Sequence, residues 1–440
     1  MKTYSEYKNS KIEWIGKIPK HWSIKKIKQA SRKIGSGGTP DSKIERYYIN
    51  GTTFWLTSGD LNDGYITQIP TKITPEALEH SSAKIFPKNT FVIAMYGATV
   101  GKIGILSFDA STNQACCCIL PNEKILQLKF LFYYYKSYKP VLLSLCQGGG
   151  QPNISQKIIK NSSVPIPPKD EQIAIANFLD ERTSKIDKVI QNKKRQIELL
   201  EENEEISIKE AVTKGSNKNN NLTKSGIEYI ENVPKDWKIK KIQYTTYVKG
   251  RIGWQGLTSE EYLDEGEYHL VTGTDFFEDT INWETCHYIE KERYDEDPYI
   301  QLKKNDILIT KDGTIGKIAF VSNVPKPTTL NTGVFVIRPE NNTYLPKFMF
   351  LILKSKIFTS YIEYIKTGST ISHLYQKKFV LFYYPLPSIK EQKEIIEYLD
   401  RIRETKLMSE KKLTEEISKL EEYRQILINE AVTGKIRVTA

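Results

Sequence analysis

A long stretch near the start of the chain is repeated in its second half. Residues 12–27 and 227–242 are identical at 10 of 16 positions at a shift of 215. Unrelated sequences of ordinary composition would share about one such position. Residues 210–213 also match residues 430–433, at a shift of 220. The chain is therefore predicted to contain two copies of one unit, which favours a partner with two related halves, such as double-stranded DNA.

Length and composition favour a globular protein with more than one domain. At 440 residues the chain exceeds what one hydrophobic core usually holds, and its hydrophobic content is 39%. The longest apolar stretches fall short of the roughly 20 residues that a membrane helix needs. The first eight residues lack the apolar core of a signal peptide. These features predict a cytoplasmic protein with no membrane partner.

The net charge of +11 is unevenly distributed. Residues 11–50 carry 10 Lys or Arg and 3 acidic residues, and residues 235–255 carry 6 and 1. We call these two stretches the basic leading segments, because each opens one copy. Residues 258–297 hold 14 acidic and 2 basic residues, so they are expected to face away from a phosphate backbone. Basic charge at equivalent points of two copies favours binding to nucleic acid.

Three cysteines, Cys116, Cys117 and Cys118, are consecutive within an apolar run. Neighbouring side chains on a strand point to opposite faces, so the three thiols cannot converge on one metal ion. They are predicted to be small buried hydrophobic residues. The five histidines show no ligand spacing, so no metal site is expected.

Each copy begins with short β-type runs separated by Gly, Pro and Asn, which predicts an α+β fold. The predicted strands are residues 53–57, 90–96, 102–107, 116–120, 269–272, 306–310, 317–321 and 334–338. Short helices are predicted at residues 129–137 and 347–355. Pro-rich stretches at residues 164–168 and 384–387 cannot continue a helix and mark the end of each globule.

A helical period follows each Pro-rich stretch, and residues 388–391 have the pattern of a capping box. The apolar positions are Leu179, Ile186, Val189, Ile197, Leu200 and Ala211 in the first copy and Leu399, Ile402, Leu413, Ile417, Leu420 and Leu427 in the second. Lys193, Glu204 and Lys406 interrupt this pattern, which disfavours identical coiled coils and favours pairing of the two helices of one chain. A helix of about 30 residues is roughly 45 Å long. The fold is therefore predicted to be two mixed α/β globules, separated by two long helices that pair as an antiparallel coiled coil, with pseudo-two-fold symmetry.

Four loops in each copy carry residues that are suited to DNA contact. They are residues 35–39, 57–60, 96–99 and 147–153 in the first copy, and 250–255, 272–275, 311–314 and 366–373 in the second. Gly permits close approach to a backbone, while Gln, Asn, Arg, Ser and Thr match base edges in the major groove. The predicted DNA-binding residues are Lys25, Lys26, Ser36, Thr39, Ser58, Tyr96, Lys102, Gln147, Gln151, Asn153, Lys240, Lys241, Arg251, Trp254, Gln255, Thr274, Lys311, Thr314, Lys317, Ser369 and His373. An ordinary solvated loop is the alternative at each position.

Residues 97–102, Gly-Ala-Thr-Val-Gly-Lys, suggest a phosphate-binding loop of a nucleotide hydrolase. The loop is one residue shorter than Gly-x-x-x-x-Gly-Lys, and Ile103 stands where Ser or Thr would hold magnesium. Two interpretations remain. The segment is a structural turn between strands, or it brings backbone N–H groups and Lys102 or Lys317 to a DNA phosphate.

Two tryptophans, Trp22 and Trp237, occupy identical repeat positions. They are predicted to pack beneath the basic leading segments rather than to stack on bases.

The sequence contains no recognisable catalytic constellation. Residues 297–299, Asp-Pro-Tyr, have one proline too few for the Asn/Asp-Pro-Pro-Tyr/Phe loop that holds a flipped base in an adenine methyltransferase. No Pro-Asp is followed at nuclease spacing by Glu-x-Lys. The chain is predicted to recognise DNA without a cofactor. The alternative is a self-contained DNA methyltransferase or nuclease with duplicated recognition domains.

The order of these motifs resembles the specificity subunit of type I restriction-modification systems. The shared elements are Pro-x-x-Trp at residues 19–22 and 234–237, the Pro-rich turns, and the Glu-Gln helix starts at residues 171–172 and 391–392. The resemblance covers essentially the whole chain. It implies two target recognition domains, one for each half of an asymmetric bipartite DNA sequence. It also implies that two methyltransferase subunits and, when present, two restriction subunits assemble on the helices.

The resemblance and the repeat together divide the chain into five parts. The predicted parts are a first target recognition domain at residues 1–168, a first spacer helix at 169–214, a polar linker at 215–226, a second target recognition domain at 227–387 and a second spacer helix at 388–440.

Overall fold

The chain forms two compact units in the computed structural model, which describes residues 2–146, 152–217, 219–253, 256–366 and 373–438. Unit 1 contains Met1–Lys193 and Thr414–Ala440, and unit 2 contains Lys194–Leu413. Each unit therefore includes part of both long helices.

Unit 1 is built from short strands followed by helices. The strands are β1 (Tyr7–Asn9), β2 (Lys17–Pro19), β3 (Ser23–Lys26), β4 (Ser31–Gly35), β5 (Thr53–Leu56), β6 (Gly64–Ile66), β7 (Lys72–Ile73), β8 (Ile85–Phe86), β9 (Phe91–Ala94), β10 (Ile103–Leu106), β11 (Ala110–Thr112), β12 (Cys116–Pro121) and β13 (Ser163–Ile166). The helices are α1 (Pro75–Glu79), α2 (Leu128–Ser144), α3 (Gln156–Asn161) and the first part of α4 (Lys169–Lys214).

Unit 2 repeats this order with different lengths. The strands are β14 (Leu222–Ile227), β15 (Ile230–Pro234), β16 (Lys238–Lys241), β17 (Thr246–Gly250), β18 (Tyr268–Val271), β19 (Phe276–Phe277), β20 (Thr280–Ile281), β21 (His287–Ile289), β22 (Ile307–Thr310), β23 (Ile318–Phe320), β24 (Thr328–Leu330), β25 (Val334–Pro339) and β26 (Tyr383–Leu386). The helices are α5 (Lys291–Asp295), α6 (Pro346–Lys354), α7 (Lys356–Lys366), α8 (Gln376–Phe379) and the first part of α9 (Ile389–Val432).

Corresponding strands form the main sheet of each unit. Its order is β4-β12-β9-β10-β6 in unit 1 and β17-β25-β22-β23 in unit 2. The first pair is antiparallel in both, with Gly35 opposite Cys118 and Gly250 opposite Phe335. The second sheet differs more, with the order β7-β5-β11-β8 in unit 1 and β21-β18-β24 in unit 2. The eight predicted strands and the two short helices are present with shifted ends, and the α+β class is confirmed.

The three consecutive cysteines lie on β12 and are fully buried. Cys116 and Cys118 belong to one apolar cluster and Cys117 does not, because alternate residues of a strand face opposite sides. Burial raises the pKa of each thiol. Their prediction as small buried hydrophobic residues is confirmed. Within the described residues, no group of three or more His, Cys, Asp or Glu is placed to hold a metal ion.

The long helices α4 and α9 run antiparallel. In unit 1, Lys193 Nζ on α4 lies 2.5 Å from Glu416 Oε2 on α9, and Asp187 on α4 pairs with Arg424 on α9. Moving forward along α4 from Asp187 to Lys193 therefore means moving backward along α9 from Arg424 to Glu416. Lys193 is one of the charges that interrupt the apolar pattern of the sequence. Its role in unit 1 is an ion pair between the two helices.

The same arrangement holds in unit 2. Lys406 Nζ lies 2.9 Å from Glu204 Oε2, and the two side chains are only 17% and 13% exposed. The two remaining charges that interrupt the apolar pattern therefore also pair with each other. This confirms that the helices of one chain pair with one another.

The long helices differ from the sequence expectation in two respects. They contain 46 and 44 residues, so α4 is about 69 Å long rather than 45 Å. Val189 is 43% exposed, whereas Ile186 and Ile190, one turn apart, are buried. Among the described residues, no helix is both long enough and apolar enough to cross a membrane.

A buried Trp is bonded to the first turn of a long helix in each unit. Trp22 Nε1 donates to Glu171 Oε2 at 3.1 Å, and Trp237 Nε1 donates to Glu391 Oε2 at 3.0 Å. The prediction that both tryptophans are structural is confirmed. The predicted capping box is half formed, because Ser388 Oγ accepts from the Glu391 N–H at 3.3 Å while the Glu391 carboxylate binds the Trp instead.

The end of the other long helix packs against the same Trp. Gly434 follows α9 in unit 1 and Gly215 follows α4 in unit 2, with φ of +73° and +84°. A Cβ at Gly434 would lie 3.0 Å from the Trp22 ring, and one at Gly215 would lie 3.5 Å from the Trp237 ring. Glycine is required there by both the positive φ and the limited space.

The Gln of each Glu-Gln helix start closes the turn before the helix. In unit 1, Gln172 Oε1 accepts from the Gln127 N–H at 2.8 Å, and its Nε2 donates to the Pro167 C=O at 2.9 Å. Gln392 makes the equivalent bonds in unit 2 at 2.8 and 3.0 Å. We refer to the Trp, Glu and Gln of each unit as its helix brace.

Candidate nucleic-acid interface

The turn after β9 and the turn after β22 have the same backbone bonding. In unit 1 the Gly101 N–H donates to the Ala94 C=O at 2.9 Å, and in unit 2 the Gly316 N–H donates to the Thr310 C=O at 3.0 Å. Each turn connects two antiparallel strands. The interpretation of residues 97–102 as a structural turn is confirmed, and phosphate contact by this turn stays a prediction.

Both turns have an open outer side. Gly97 and Gly313 have φ of +69° and +66°, and a Cβ at either position would meet nothing within 4 Å. Thr314 and Lys317 are exposed and Lys102 is half-buried. A ligand backbone can therefore approach these turns closely, since the outer side is free of neighbouring chain.

The turn of unit 1 is joined to a second predicted DNA-binding loop. Tyr96 and Asn153 form an isolated antiparallel bridge, and the Ile154 N–H donates to the Met95 C=O at 2.8 Å. Tyr96 and Asn153, which are more than 50 residues apart in sequence, thus lie side by side.

Unit 2 joins the equivalent loops in the same way. Asp312 and His373 form the bridge, and the Leu374 N–H donates to the Lys311 C=O at 2.7 Å. Lys311 is less available than predicted, because its Nζ lies 4.9 Å from the centre of the Phe335 ring and burial lowers its pKa. We call each pair of joined loops a loop junction.

The two loop junctions carry different side chains on the same backbone. Tyr96 is 44% exposed in unit 1. In unit 2 the corresponding residue is Asp312, whose carboxylate accepts a hydrogen bond from His373 Nδ1. Asp312 is missing from the residues predicted from sequence. The repeat indicates Asp312, because it stands directly before Gly313 just as Tyr96 stands directly before Gly97.

In a second pair of turns, one in each unit, an aspartate carboxylate accepts a hydrogen bond from the backbone. The Thr57 N–H donates to Asp60 Oδ2 at 2.7 Å, and the turn at residues 272–275 has the same bond at 2.7 Å. These turns present Ser58, which is half-buried, and Thr274, which is exposed. Both positions remain compatible with DNA contact.

The glycine-rich loop after β4 packs against its own unit. A Cβ at Gly37 would lie 1.8 Å from the Thr112 C=O oxygen, and one at Gly38 would lie 1.9 Å from Ser82 Oγ. The space on the Cβ side of these two glycines is therefore filled by unit 1 itself, and contact of this loop with DNA stays a prediction.

The two polar residues of this loop are partly engaged within unit 1. Ser36 Oγ accepts from Gln156 Nε2 at 3.0 Å and is half-buried. Thr39 Oγ1 donates to Gln114 Oε1 at 2.6 Å but remains exposed. Thr39 is therefore the better candidate for contact with a ligand.

Arg251 contradicts its prediction as a DNA contact. Its side chain is fully buried, with Nε donating to the Leu330 C=O at 2.9 Å and Nη1 to Glu296 Oε2 at 2.9 Å. Nη2 donates to Thr329 Oγ1 at 3.4 Å. The guanidinium cannot reach DNA because its donors hold the interior of unit 2.

The four lysines that were predicted to contact DNA in the basic leading segments lie on two short strands. Lys25 and Lys26 are on β3, which pairs with β13, and Lys240 and Lys241 are on β16, which pairs with β26. Lys26 is exposed and the other three are half-buried. Lys241 Nζ lies 4.7 Å from the centre of the Tyr383 ring, and a hydrogen bond with Tyr383 raises the Lys241 pKa.

Five predicted contact residues lie outside the described residues. They are Gln147, Gln151, Trp254, Gln255 and Ser369.

Comparison with known families gives two separate matches within this chain. Residues 19–202 and 234–419 each match the type I restriction modification DNA specificity domain. The chain belongs to this family. The two matches fall on the two copies of the repeat and together cover most of the sequence.

Curated relatives are named as type I restriction enzyme specificity subunits. The MjaVIII specificity subunit of Methanocaldococcus jannaschii is 26% identical over 432 residues, which cover 96% of this chain and 94% of the relative. The EcoBI specificity subunit of Escherichia coli is 22% identical over 409 residues, covering 91% and 80%. The prediction of a type I DNA specificity protein is confirmed.

Solved structures share the fold. A chain from a study of complex assembly and conformational transition of the type I R-M system has a TM-score of 0.71 at 16% identity, covering 95% of this chain and 99% of that one. The HsdS subunit of Thermoanaerobacter tengcongensis has a TM-score of 0.54 at 16% identity, covering 95% and 98%. The predicted fold class, two α+β domains with two long helices, is confirmed.

Proposed function

We propose that this chain reads an asymmetric bipartite DNA sequence, with one unit for each half, and performs no chemistry itself. The observation that carries the proposal is the pair of loop junctions. Both have the same backbone bonds and an open glycine, but Tyr96 and Asn153 in one are replaced by Asp312 and His373 in the other. A constant frame with different side chains suits two domains that read different bases.

The charges support binding to phosphates beside the bases. Exposed Lys26 and Lys317 offer long cationic side chains in different units. Such contacts position a protein on DNA but do not specify sequence. Sequence preference is therefore assigned to the loop junctions and to exposed Thr39, Thr274 and their neighbours.

The outer faces of the long helices support assembly with partner proteins. Large apolar side chains there are substantially exposed, namely Ile173, Val189, Leu199 and Ile206 on α4 and Ile389, Leu407, Met408, Tyr423 and Ile426 on α9. Exposed apolar surface of this kind is typical of a protein interface. The proposed partners are two methyltransferase subunits and, where present, two restriction subunits, in the cytoplasm and without a cofactor bound to this chain.

The proposal is tested by selecting bound duplexes from a random pool and sequencing them. The full chain should enrich one motif with two defined halves and a fixed run of unread base pairs between them. Replacing residues 12–163 with the corresponding segment of a relative should change one half only. A change in both halves at once, or no enriched motif, would contradict the proposal.

The alternative of a self-contained enzyme is tested with the same preparation. The chain is mixed with the enriched duplex and labelled S-adenosylmethionine, and DNA label and strand breaks are measured. We expect neither above the level of a heat-inactivated control. Activity that co-purifies with this chain alone would favour the alternative.

A further inference from the structure

The loop junction of unit 2 contains a histidine whose ring is hydrogen-bonded to an aspartate. His373 Nδ1 is hydrogen-bonded to the Asp312 carboxylate. An ionised carboxylate can only accept, so Nδ1 carries the proton of the bond. In the neutral imidazole the other nitrogen, Nε2, is then an acceptor. The aspartate thus decides which hydrogen-bonding group the ring presents.

The acceptor nitrogen is available. Among the described residues, no hydrogen-bond partner is found for His373 Nε2. The His373 side chain is 30% exposed. Tyr375 lies against the ring, with 4.6 Å between ring centres and an interplanar angle of 60°. The ring is therefore held by Asp312 and Tyr375, and this leaves the Nε2 edge free.

The position of this histidine in the repeat is also informative. Asn153 occupies the equivalent place in unit 1, opposite Tyr96. The amide of Asn153 offers both a donor and an acceptor, whereas neutral His373 offers one acceptor. The backbone bonds of the two junctions are 2.8 and 2.7 Å. The same backbone site therefore carries two different hydrogen-bonding patterns.

We infer that His373 reads one base in the second half of the target, and that Asp312 is a positioning residue that fixes its acceptor nitrogen. This inference rests on the proposed function of the chain. In the major groove, adenine N6 and cytosine N4 are donors, whereas guanine and thymine present acceptors. The base facing His373 is therefore adenine or cytosine.

The test compares the duplexes selected by the full wild-type chain with those selected by four variants. His373→Ala should reduce the preference for adenine or cytosine at one position of the second half about tenfold, and leave the first half unchanged. His373→Gln keeps a polar side chain with both a donor and an acceptor, so it should lose the same preference while retaining binding.

Asp312→Asn tests the positioning role. The amide can donate to Nδ1, which allows the Nε2–H form of the ring, so guanine and thymine should become acceptable at the same position. A purely structural role would instead weaken binding to all sequences equally. Asn153→Ala is the matched control, because it should alter base preference in the first half only.

The outcomes separate this inference from the proposed function. If the wild type selects a bipartite motif and the His373 and Asp312 variants select the same motif, the inference is wrong and the proposed function stands. If the wild type selects no motif, the proposed function itself fails. Circular dichroism of each variant identifies loss of fold. If His373→Ala is unfolded, His373→Gln decides the outcome.

Discussion

The two units keep the same helix brace and differ in what surrounds it. Trp22 and Trp237 make the same bond to a helix-start glutamate, at 3.1 and 3.0 Å. In contrast, the second sheet has four strands in unit 1 and three in unit 2 among the described residues. The part that connects to the long helices is therefore constant, while the part that carries the loops has diverged.

Interior chemistry also differs between the units at one matched position. β4 and β17 both end in glycine, and the next residue is Ser36 in unit 1 and Arg251 in unit 2. Ser36 accepts one hydrogen bond, whereas Arg251 donates to partners on two other segments, β24 and the end of α5. A repeat can thus replace a small polar residue by a buried charge when the neighbouring segments supply acceptors.

The largest expected difference between the two units, in the loss of stability on substitution, is at this matched position. Arg251→Ala removes the side-chain donor to the Leu330 C=O and leaves the Glu296 carboxylate with Arg293 Nη1 alone, so it should destabilise unit 2 by about 3 kcal/mol. Ser36→Ala should cost less than about 1 kcal/mol. Urea unfolding of the full chain, followed by hydrogen exchange in β24 and β12, measures both. Equal losses in the two units would contradict the different roles.

The next largest loss of stability is expected from charge reversal in the ion pairs between the long helices. Lys406→Glu should cost about 2 kcal/mol, because it places a second carboxylate beside the mostly buried Glu204. Adding Glu204→Lys should restore much of the loss. Lys193→Glu should cost less, about 1 kcal/mol, since its partner Glu416 is 39% exposed. A double-mutant cycle by thermal unfolding checks this, and no recovery in the double variant would show that the pair does not couple.

Neutralising the helix-start glutamate should destabilise unit 1 more than unit 2. Glu171 accepts from His21 at 2.9 Å and from Trp22 at 3.1 Å, and also binds the Tyr4 hydroxyl. Glu171→Gln should therefore cost about 1–2 kcal/mol. Glu391 accepts from Trp237, so Glu391→Gln should change stability by less than about 0.5 kcal/mol at neutral pH.

A pH series sharpens this contrast. Burial raises the pKa of Glu391 above the ordinary glutamate value of 4.5. The protonated form is thus favoured in the folded state, and the stability it contributes is present at low pH and lost as the pH rises through that raised pKa. Amide exchange in the first turn of α9 should show this loss in the wild type and not in Glu391→Gln. The same profile in both would rule out Glu391 as its source.

The smallest effect is expected from the basic leading segments. Lys25→Ala with Lys26→Ala should reduce the slope of log affinity against log salt by roughly 1 to 2, through loss of phosphate contacts. The matched pair Lys240→Ala and Lys241→Ala should reduce it less, since Lys241 lies on Tyr383. Base preference should be unchanged in both. An unchanged slope in all variants would exclude these strands from the DNA contact.

The repeat and the order of its motifs carried the resemblance to the family. The sequence by itself also determined the α+β class and the presence of two long helices. These follow from local patterns, because strand and helix periods, Pro-rich stops and glycine turns act over a few residues. The same patterns located the turn after β9 and its equivalent after β22. They also predicted that Cys116, Cys117 and Cys118 are buried, since three neighbouring side chains on a strand cannot share one metal.

Only the tertiary structure decided which loops meet and which charges are buried. Arg251 donates to Leu330, which is 79 residues away, and Asp312 binds His373 across 61 residues. Gly37 proved to face Thr112 rather than open space. Exposure and hydrogen-bond partners depend on distant segments that fold against a residue, and a local pattern holds no information about them.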